Sequence, residues 1–293
     1  MKEKIASNPV VWGCLIFIAG AALASYTGNR VIAYLTANPQ LTLPEVRTQT
    51  PVIYFFIAVI VVGLILFLIP IARLKLVFRI LFSVLWAWGL FVTLVLALPS
   101  AITAVVIAIA GGLFWFISPR VWLHNLLLLI ALASVGAVFG TMLSPWQIMI
   151  LLGVVSVYDV VAVRFGYMMW MAKKLSDTDS LPAFIIHKSG SGWNLNLKHK
   201  DARKMIAGEA GEREFSILGG GDIGFPLILM VSVLDESGFA GSLIVAAFAL
   251  AGLIGAYAIQ RLFLKGKPMP ALPPIALASL MGLLVVKFVM SQA

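Results

Sequence analysis

The chain has 293 residues, of which 61% are hydrophobic and only 11% are charged, and its mean hydropathy is +1.05. A soluble domain carries about 25% charged residues, so the composition excludes a soluble globular protein and indicates a single membrane domain over residues 1–293. The net charge of +9 does not indicate nucleic-acid binding, because no basic surface interleaved with aromatic residues exists outside the loops.

Cysteine and histidine usage argues against disulfides and metal chemistry. Cys14 is the only cysteine, so no disulfide can form within one chain, and one thiol does not make a metal site. His124, His187 and His199 are scattered and lack the spacing of metal ligands. We therefore predict no metal and no cofactor.

Nine apolar stretches follow one another along the chain, each close to the ~20 residues that a helix needs to cross a bilayer. They predict an all-α polytopic membrane protein with nine transmembrane helices. Helices one to five lie within 10–143, helix six within 146–172, helix seven within 214–234, and helices eight and nine within 239–290. The nine stretches are Val10–Tyr26, Pro51–Ile71, Leu76–Leu98, Ala101–Ile117, Val121–Leu143, Ile148–Ala172, Phe215–Leu234, Phe239–Leu264 and Leu272–Met290.

The first stretch has some features of a signal peptide, since Met1–Lys4 is basic and Ala22-Leu23-Ala24 resembles a cleavage site. We nevertheless expect it to be a retained span. Lys and Arg residues concentrate on the side that holds the N-terminus, and such residues mark cytoplasmic loops. This predicts a cytoplasmic N-terminus, an outside C-terminus, and a cytoplasmic loop at 173–213, which contains a Ser/Gly string and the charged run 198–204.

Two carboxyl groups lie inside long apolar stretches, Asp159 in Ile148–Ala172 and Asp222 in Phe215–Leu234. The other ten acidic residues fall in tails, polar connections or segment ends. An Asp at the centre of a membrane helix costs about 2.5–3.5 kcal/mol on insertion scales, and such residues usually mark a pathway, a relay or an active site. A functional site is therefore predicted at this pair.

Glycines and a tyrosine accompany the two aspartates. Gly219, Gly220 and Gly221 directly precede Asp222, and each glycine inside a helix costs roughly 1 kcal/mol relative to Ala. Glycines also let another backbone approach closely, which suits a site that receives an extended peptide. Close helix packing would use small residues too, but it does not account for the adjacent acid. Tyr158 precedes Asp159 and can donate a hydrogen bond to it.

Two carboxyl groups held close together share one proton, because both cannot easily be ionised. The ionised group can then act as a general base on water, and the protonated group can polarise a peptide carbonyl and protonate the leaving amine. That is peptide hydrolysis without a metal or a covalent intermediate.

A third feature is the segment 268–274, which has four prolines in seven residues and cannot form a regular helix. It opens the last span on the predicted cytoplasmic side. Taken alone, it would be interpreted as a loop with a proline-rich helix start.

Together, these strings resemble the presenilin/signal peptide peptidase family of intramembrane aspartyl proteases. The matching residues are Tyr158-Asp159, the Gly-x-Gly-Asp motif Gly219-x-Gly221-Asp222, and Pro270-Ala271-Leu272. Their order, and their positions in the sixth, seventh and start of the ninth span, make the resemblance specific. The short loops are similar to those of microbial, archaeal homologues.

The resemblance implies that Asp159 and Asp222 are the catalytic dyad, with Gly219 and Gly221 shaping the approach to Asp222. It implies that Pro270-Ala271-Leu272 lies beside the dyad and helps to position substrate. The implied substrates are membrane proteins or signal peptides. The implied location is the cell membrane of a prokaryote. Whether the protein forms a homo-oligomer is left open. The loop 173–213 is short compared with that of presenilin, so neither self-cleavage nor partner subunits are expected.

Two alternatives use the same residues. A proton-coupled transporter or ion channel could place both aspartates on a conduction pathway. Prepilin peptidases also carry Gly-x-Gly-Asp, but they lack the Pro-Ala-Leu string and hold their acids near the cytoplasmic face.

Overall fold

The computed structural model of this protein describes residues 8–41, 49–69, 71–167, 170, 181–187, 192–197, 215–263 and 269–290. The basic start Met1–Lys4, the charged run 198–204, Pro268 and most of the Ser/Gly string lie outside these ranges.

Helices account for most of the described residues, and we number them in chain order. Each begins and ends close to an apolar stretch of the sequence, because a helix satisfies its own backbone groups in an apolar environment. They are α1 (Pro9–Ala37), α2 (Gln49–Leu68), α3 (Ile71–Val95), α4 (Ala101–Ile117), α5 (Val121–Met142), α6 (Pro145–Arg164), α7 (Gly220–Leu262) and α8 (Leu272–Met290).

Among the described residues, six helices are long and apolar enough to cross a membrane, namely α1, α3, α5, α6, α7 and α8. Helix α7 has 43 residues, about 65 Å at 1.5 Å per residue, which is twice the ~30 Å apolar core of a bilayer. It is interrupted at Gly238, whose φ of 74° and ψ of −176° are non-helical. The interruption divides it into segments 220–237 and 239–262.

Helices α1 and α6 end far from the expected positions. Helix α1 continues to Ala37, beyond Tyr26, because Gly28 serves close packing and does not end the helix: a Cβ there would lie 2.9 Å from Val231 Cγ1. Helix α6 ends at Arg164, short of residue 172. Gly166 has a positive φ of 71°, and a glycine in that conformation commonly ends a helix.

The all-α expectation needs one correction. Strand β1 (Ala183–His187) pairs antiparallel with strand β2 (Phe215–Gly219), with Ile185 opposite Ile217. The expected helix seven therefore starts at Gly220 and not at 214 or 215. The physical reason is that both segments carry aromatic and β-branched residues, which favour strands, and each supplies the backbone partner that the other needs.

The described residues form two compact units. The first contains the described residues within 1–15, 57–131 and 162–220. Its centre is an aromatic cluster in which Trp86 lies against Phe82, Trp115 and His124, with ring centroids 5.3, 5.9 and 5.6 Å away. These four side chains are buried, and the other three rings each meet Trp86 in the edge-to-face arrangement that aromatic pairs prefer.

The second unit contains the described residues within 16–56, 132–161 and 221–293. Its apolar core joins side chains of α6, the first segment of α7, and α8, with Leu152, Leu229 and Leu283 fully buried. The Ser232 hydroxyl donates a hydrogen bond to the Leu143 carbonyl. Both aspartates that the sequence singles out belong to this unit.

Candidate active site

Asp159 is a buried carboxyl group near the C-terminal end of α6. Its side chain is only 2% exposed, and α6 carries no other acid. Val155, one turn earlier, belongs to the apolar core of this unit, and Asp159 follows it on the same side of the helix. The sequence therefore places the acid on the packed side of α6.

The backbone of the Pro-Ala-Leu string contacts this carboxyl group. The Leu272 N–H donates a hydrogen bond of 3.2 Å to Asp159 Oδ2, and the Ala271 N–H also interacts with the carboxyl group. The other oxygen, Oδ1, is buried and has no hydrogen-bond partner among the described residues. One oxygen of Asp159 is thus held by protein.

The local sequence explains why the Leu272 amide takes this role. Leu272 is the first residue of α8, and the first N–H groups of a helix have no partner within it. Pro273 and Pro274 follow and have no N–H to offer. Leu272 therefore supplies the N–H at this end of α8, where the helix dipole also favours a negative charge.

Asp222 lies in the first turn of α7 and is half-buried. The three glycines before it divide between two elements: Gly219 ends β2, whereas Gly220 and Gly221 begin α7. The Gly220 N–H donates a hydrogen bond of 3.0 Å to the Pro182 carbonyl, and a Cβ on Gly220 would lie 2.8 Å from that oxygen. Gly220 is needed for this close approach.

Gly221 has a different environment. It is exposed, and a Cβ on it would meet only the Phe225 ring, at 3.5 Å, an ordinary contact. The described contacts of the protein would therefore accept an alanine at this position.

Tyr158 packs against the Phe55 ring, with centroids 5.6 Å apart in an edge-to-face arrangement. Pro270 and Ala271 are half-buried and non-helical just before α8. The structure thus brings Asp159 together with Leu272 and Ala271, and Asp222 shares their compact unit. Within the described residues, no three His, Cys, Asp or Glu side chains cluster in a way that could hold a metal ion.

Sequence reasoning missed two polar residues of α5. His124 and Asn125 are buried and form hydrogen bonds with β1. The available signal was an adjacent pair of polar residues inside the apolar stretch Val121–Leu143. The spacing that identifies metal ligands does not detect such a pair.

The family of the chain follows from a comparison with known proteins. Residues 16–293 match the family model described as signal-peptide peptidase, presenilin aspartyl protease. The chain belongs to this family. This confirms the resemblance drawn from the Tyr-Asp, Gly-x-Gly-Asp and Pro-Ala-Leu strings, and no curated protein sequence gives a match.

Two solved structures are similar to this presenilin-family protease, and both are described as a presenilin family intramembrane aspartate protease. The one in space group C222 has 19% identity and a TM-score of 0.64, and it covers 96% of this chain and 100% of that chain. The one in space group P2 has 20% identity and a TM-score of 0.61, with 96% and 98% covered. At these identities the two structures show a shared fold.

The chain is therefore an aspartic endopeptidase of the intramembrane-cleaving kind, and an integral, multi-pass membrane protein. Its substrates are membrane proteins or peptides, as the family implies. The transporter or channel alternative receives no support from either comparison.

Proposed function

We propose that this protease hydrolyses peptide bonds within transmembrane helices of its substrates, with Asp159 and Asp222 as a general acid/base pair. The observation that carries the proposal is the state of Asp159. This acid is almost fully buried in an apolar span, one oxygen is held by the Leu272 N–H, and the other has no described partner. A carboxyl group oriented in this way is positioned for proton transfer.

The reaction requires one proton shared between the two carboxyl groups. The ionised group removes a proton from water, whose oxygen then bonds to the peptide carbonyl carbon, while the protonated group donates to the carbonyl oxygen. When the tetrahedral diol collapses, the C–N bond breaks and the carboxyl group that took the proton from water protonates the leaving nitrogen. The other aspartate takes a proton back from a diol hydroxyl as the new carbonyl group forms. Each aspartate returns to its starting state, and no metal or covalent intermediate takes part.

The glycines and the Pro-Ala-Leu string have supporting roles in this proposal. The exposed Gly221 beside Asp222 leaves room for an extended peptide to approach the carboxyl group. Pro270 and Ala271 keep the backbone non-helical before α8, which directs the Leu272 amide to Asp159, and Tyr158 supports the same region of α6. We assign Gly219 and Gly220 to the junction that carries Asp222.

We further propose nine membrane spans, with a cytoplasmic N-terminus and an outside C-terminus. Support comes from the excess of Lys and Arg on one side and from the interruption of α7 at Gly238. In this topology the loop 173–213 is cytoplasmic. A prokaryotic cell membrane is the proposed location.

The dyad is tested by replacing each acid with its uncharged amide. We expect Asp159→Asn and Asp222→Asn each to abolish cleavage of a membrane-spanning peptide in liposomes, measured by mass spectrometry of the products. The Asn amide neither ionises nor takes up a proton near neutral pH, so it cannot act as a general acid or base and acid/base catalysis is lost. Removing one general acid/base group typically costs about 10²–10⁴-fold in rate.

Asp235→Asn is the matched control. It makes the same substitution on the same helix, at an exposed position outside the apolar stretch, and should cleave at the wild-type rate. Wild-type cleavage by either Asp159→Asn or Asp222→Asn would refute the dyad.

A further inference from the structure

Strand β1 has two edges, and only one of them faces β2. In an antiparallel pair, the N–H and C=O groups of alternate residues face the partner, while those between them face outward. The Pro182 carbonyl accepts a hydrogen bond from Gly220, so the backbone groups of Phe184 and Ile186 also point to the β2 side. Those of Ala183 and Ile185 point to the other edge.

The outer edge of β1 is occupied by two side chains at the start of α5. The Asn125 Nδ2 donates to the Ile185 carbonyl at 2.8 Å, and the Ile185 N–H donates to Asn125 Oδ1 at 2.9 Å. The His124 Nε2 lies 3.1 Å from the Ala183 carbonyl and must donate there, because a carbonyl only accepts. Asn125 and His124 thus take the place of a neighbouring strand.

This arrangement removes a large cost. Asn125 is 8% exposed and His124 is fully buried, so water does not satisfy the β1 backbone at this edge. An unpaired backbone group in an apolar environment costs several kcal/mol. Hydrogen bonds from the two side chains offset that cost and hold β1 against α5.

The register of β1 determines the position of the residues that directly precede Asp222. Ala183 lies opposite Gly219 at the end of the sheet, and the next hydrogen bond joins the Pro182 carbonyl to the Gly220 N–H. Helix α7 begins at Gly220, and Asp222 lies in its first turn. The position of β1 therefore sets where this turn begins.

We propose that Asn125 and His124 are positioning residues for the hydrolytic reaction: they fix β1, and β1 fixes the first turn of α7 that carries Asp222. The inference rests on the proposed role of Asp222 as a catalytic residue. It assigns a function to a buried polar pair whose hydrogen bonds go to the backbone of β1.

The test compares substitutions that keep or remove these hydrogen bonds. Asn125→Leu keeps the approximate volume and removes both bonds to Ile185. We expect kcat on a membrane-embedded peptide to fall about 10- to 100-fold, since misplacement of a reacting group by about 1 Å costs that much, while KM changes by less than about twofold. Hydrogen exchange, followed by mass spectrometry in detergent, should quicken for the amides of both strands.

His124 provides a rescue experiment. A glutamine nitrogen can reach the place of the histidine Nε2, so His124→Gln should keep kcat within about twofold, whereas His124→Leu should lower it about tenfold. If Asn125→Leu does not yield folded protein, this pair decides the question: equal kcat for His124→Gln and His124→Leu overturns the proposal.

Ser83→Ala is the matched control, because it removes one hydrogen bond from a side chain to a carbonyl, that of Gly112, between α3 and α4. It should lower thermal stability without changing kcat. Wild-type kcat in Asn125→Leu overturns the inference. If Asp159→Asn and Asp222→Asn are inactive in the same assay, that failure concerns the positioning role alone. If they are active, the proposed dyad itself fails.

Discussion

At the scale of single residues, the hydrogen bond from Leu272 to Asp159 gives the sharpest prediction. Leu272→Ala and Leu272→Pro both remove a side chain that is only 5% exposed, but only Leu272→Pro also removes the N–H. Proline is acceptable at the first position of a helix. A hydrogen bond to a charged group contributes about 1.5–3 kcal/mol, so kcat of Leu272→Pro should be at least about tenfold below that of Leu272→Ala.

Both variants are assayed with the same membrane-embedded peptide, at a temperature at which thermal unfolding shows both to be folded. Because the two variants share the loss of packing, the ratio of their kcat values reports the amide. A ratio near one would mean that the Leu272 N–H does not orient Asp159 during the reaction.

The two aspartates could be predicted from sequence, since an acid in an apolar stretch stands out without any knowledge of the fold. The bond between Leu272 and Asp159 could not, because the two residues are 113 positions apart and meet only after packing. His124 and Asn125 were missed for the same reason: their partners are backbone groups of a strand that the sequence did not reveal.

At the scale of elements, the junction between β2 and α7 distinguishes two glycines that look alike in the sequence. Gly220→Ala would place a Cβ 2.8 Å from the Pro182 carbonyl and should lower the free energy of unfolding by about 1–3 kcal/mol. Gly221→Ala meets no such contact and should leave the free energy of unfolding unchanged or raise it by up to ~1 kcal/mol.

Two measurements on these variants distinguish an effect on packing from an effect on substrate access. Thermal unfolding in detergent reports the loss of packing, and kcat/KM reports the access of substrate. A folded Gly221→Ala variant with reduced kcat/KM would support a role of Gly221 in the approach of substrate. Equal stability losses in both variants would contradict the contact geometry around Gly220.

Helices were predictable because a single long apolar segment can satisfy its own backbone hydrogen bonds in a membrane only as a helix. The strands were not, because a short apolar run such as Phe215–Leu218 fits a strand or a helix equally well. The sequence favours one helix from Phe215 to Leu234, because only Ser216, Asp222 and Ser232 interrupt its apolar and small residues. Only the pairing with Ala183–His187 decides between the two.

At the scale of the whole molecule, the distribution of Lys and Arg predicts which loops face the cytoplasm. In a Cys14→Ser background, a cysteine introduced as Gln40→Cys should react with a membrane-impermeant maleimide in intact cells. One introduced as Ser118→Cys should react only after lysis. The physical reason is the positive-inside rule, under which the loops after the first and fourth spans lie on opposite sides.

Cysteine-free protein serves as the control for background labelling. Labelling of Ser118→Cys in intact cells, with Gln40→Cys protected, would reverse the proposed orientation of the whole bundle. Protection or labelling of both positions would contradict the proposed number of spans between them.

The pairing of β1 with β2 also makes the register of the strands independent of the number of residues that connect them. His187 lies opposite Phe215, so the intervening residues close a loop whose ends are already fixed by the strands. Residues 192–197 pair with the start of α5, and the register of the two strands involves residues 183–187 and 215–219. Because doubling the length of a loop costs only about 0.6 kcal/mol in closure entropy, a change in the number of residues between His187 and Phe215 should cost little free energy while the register of the strands is kept.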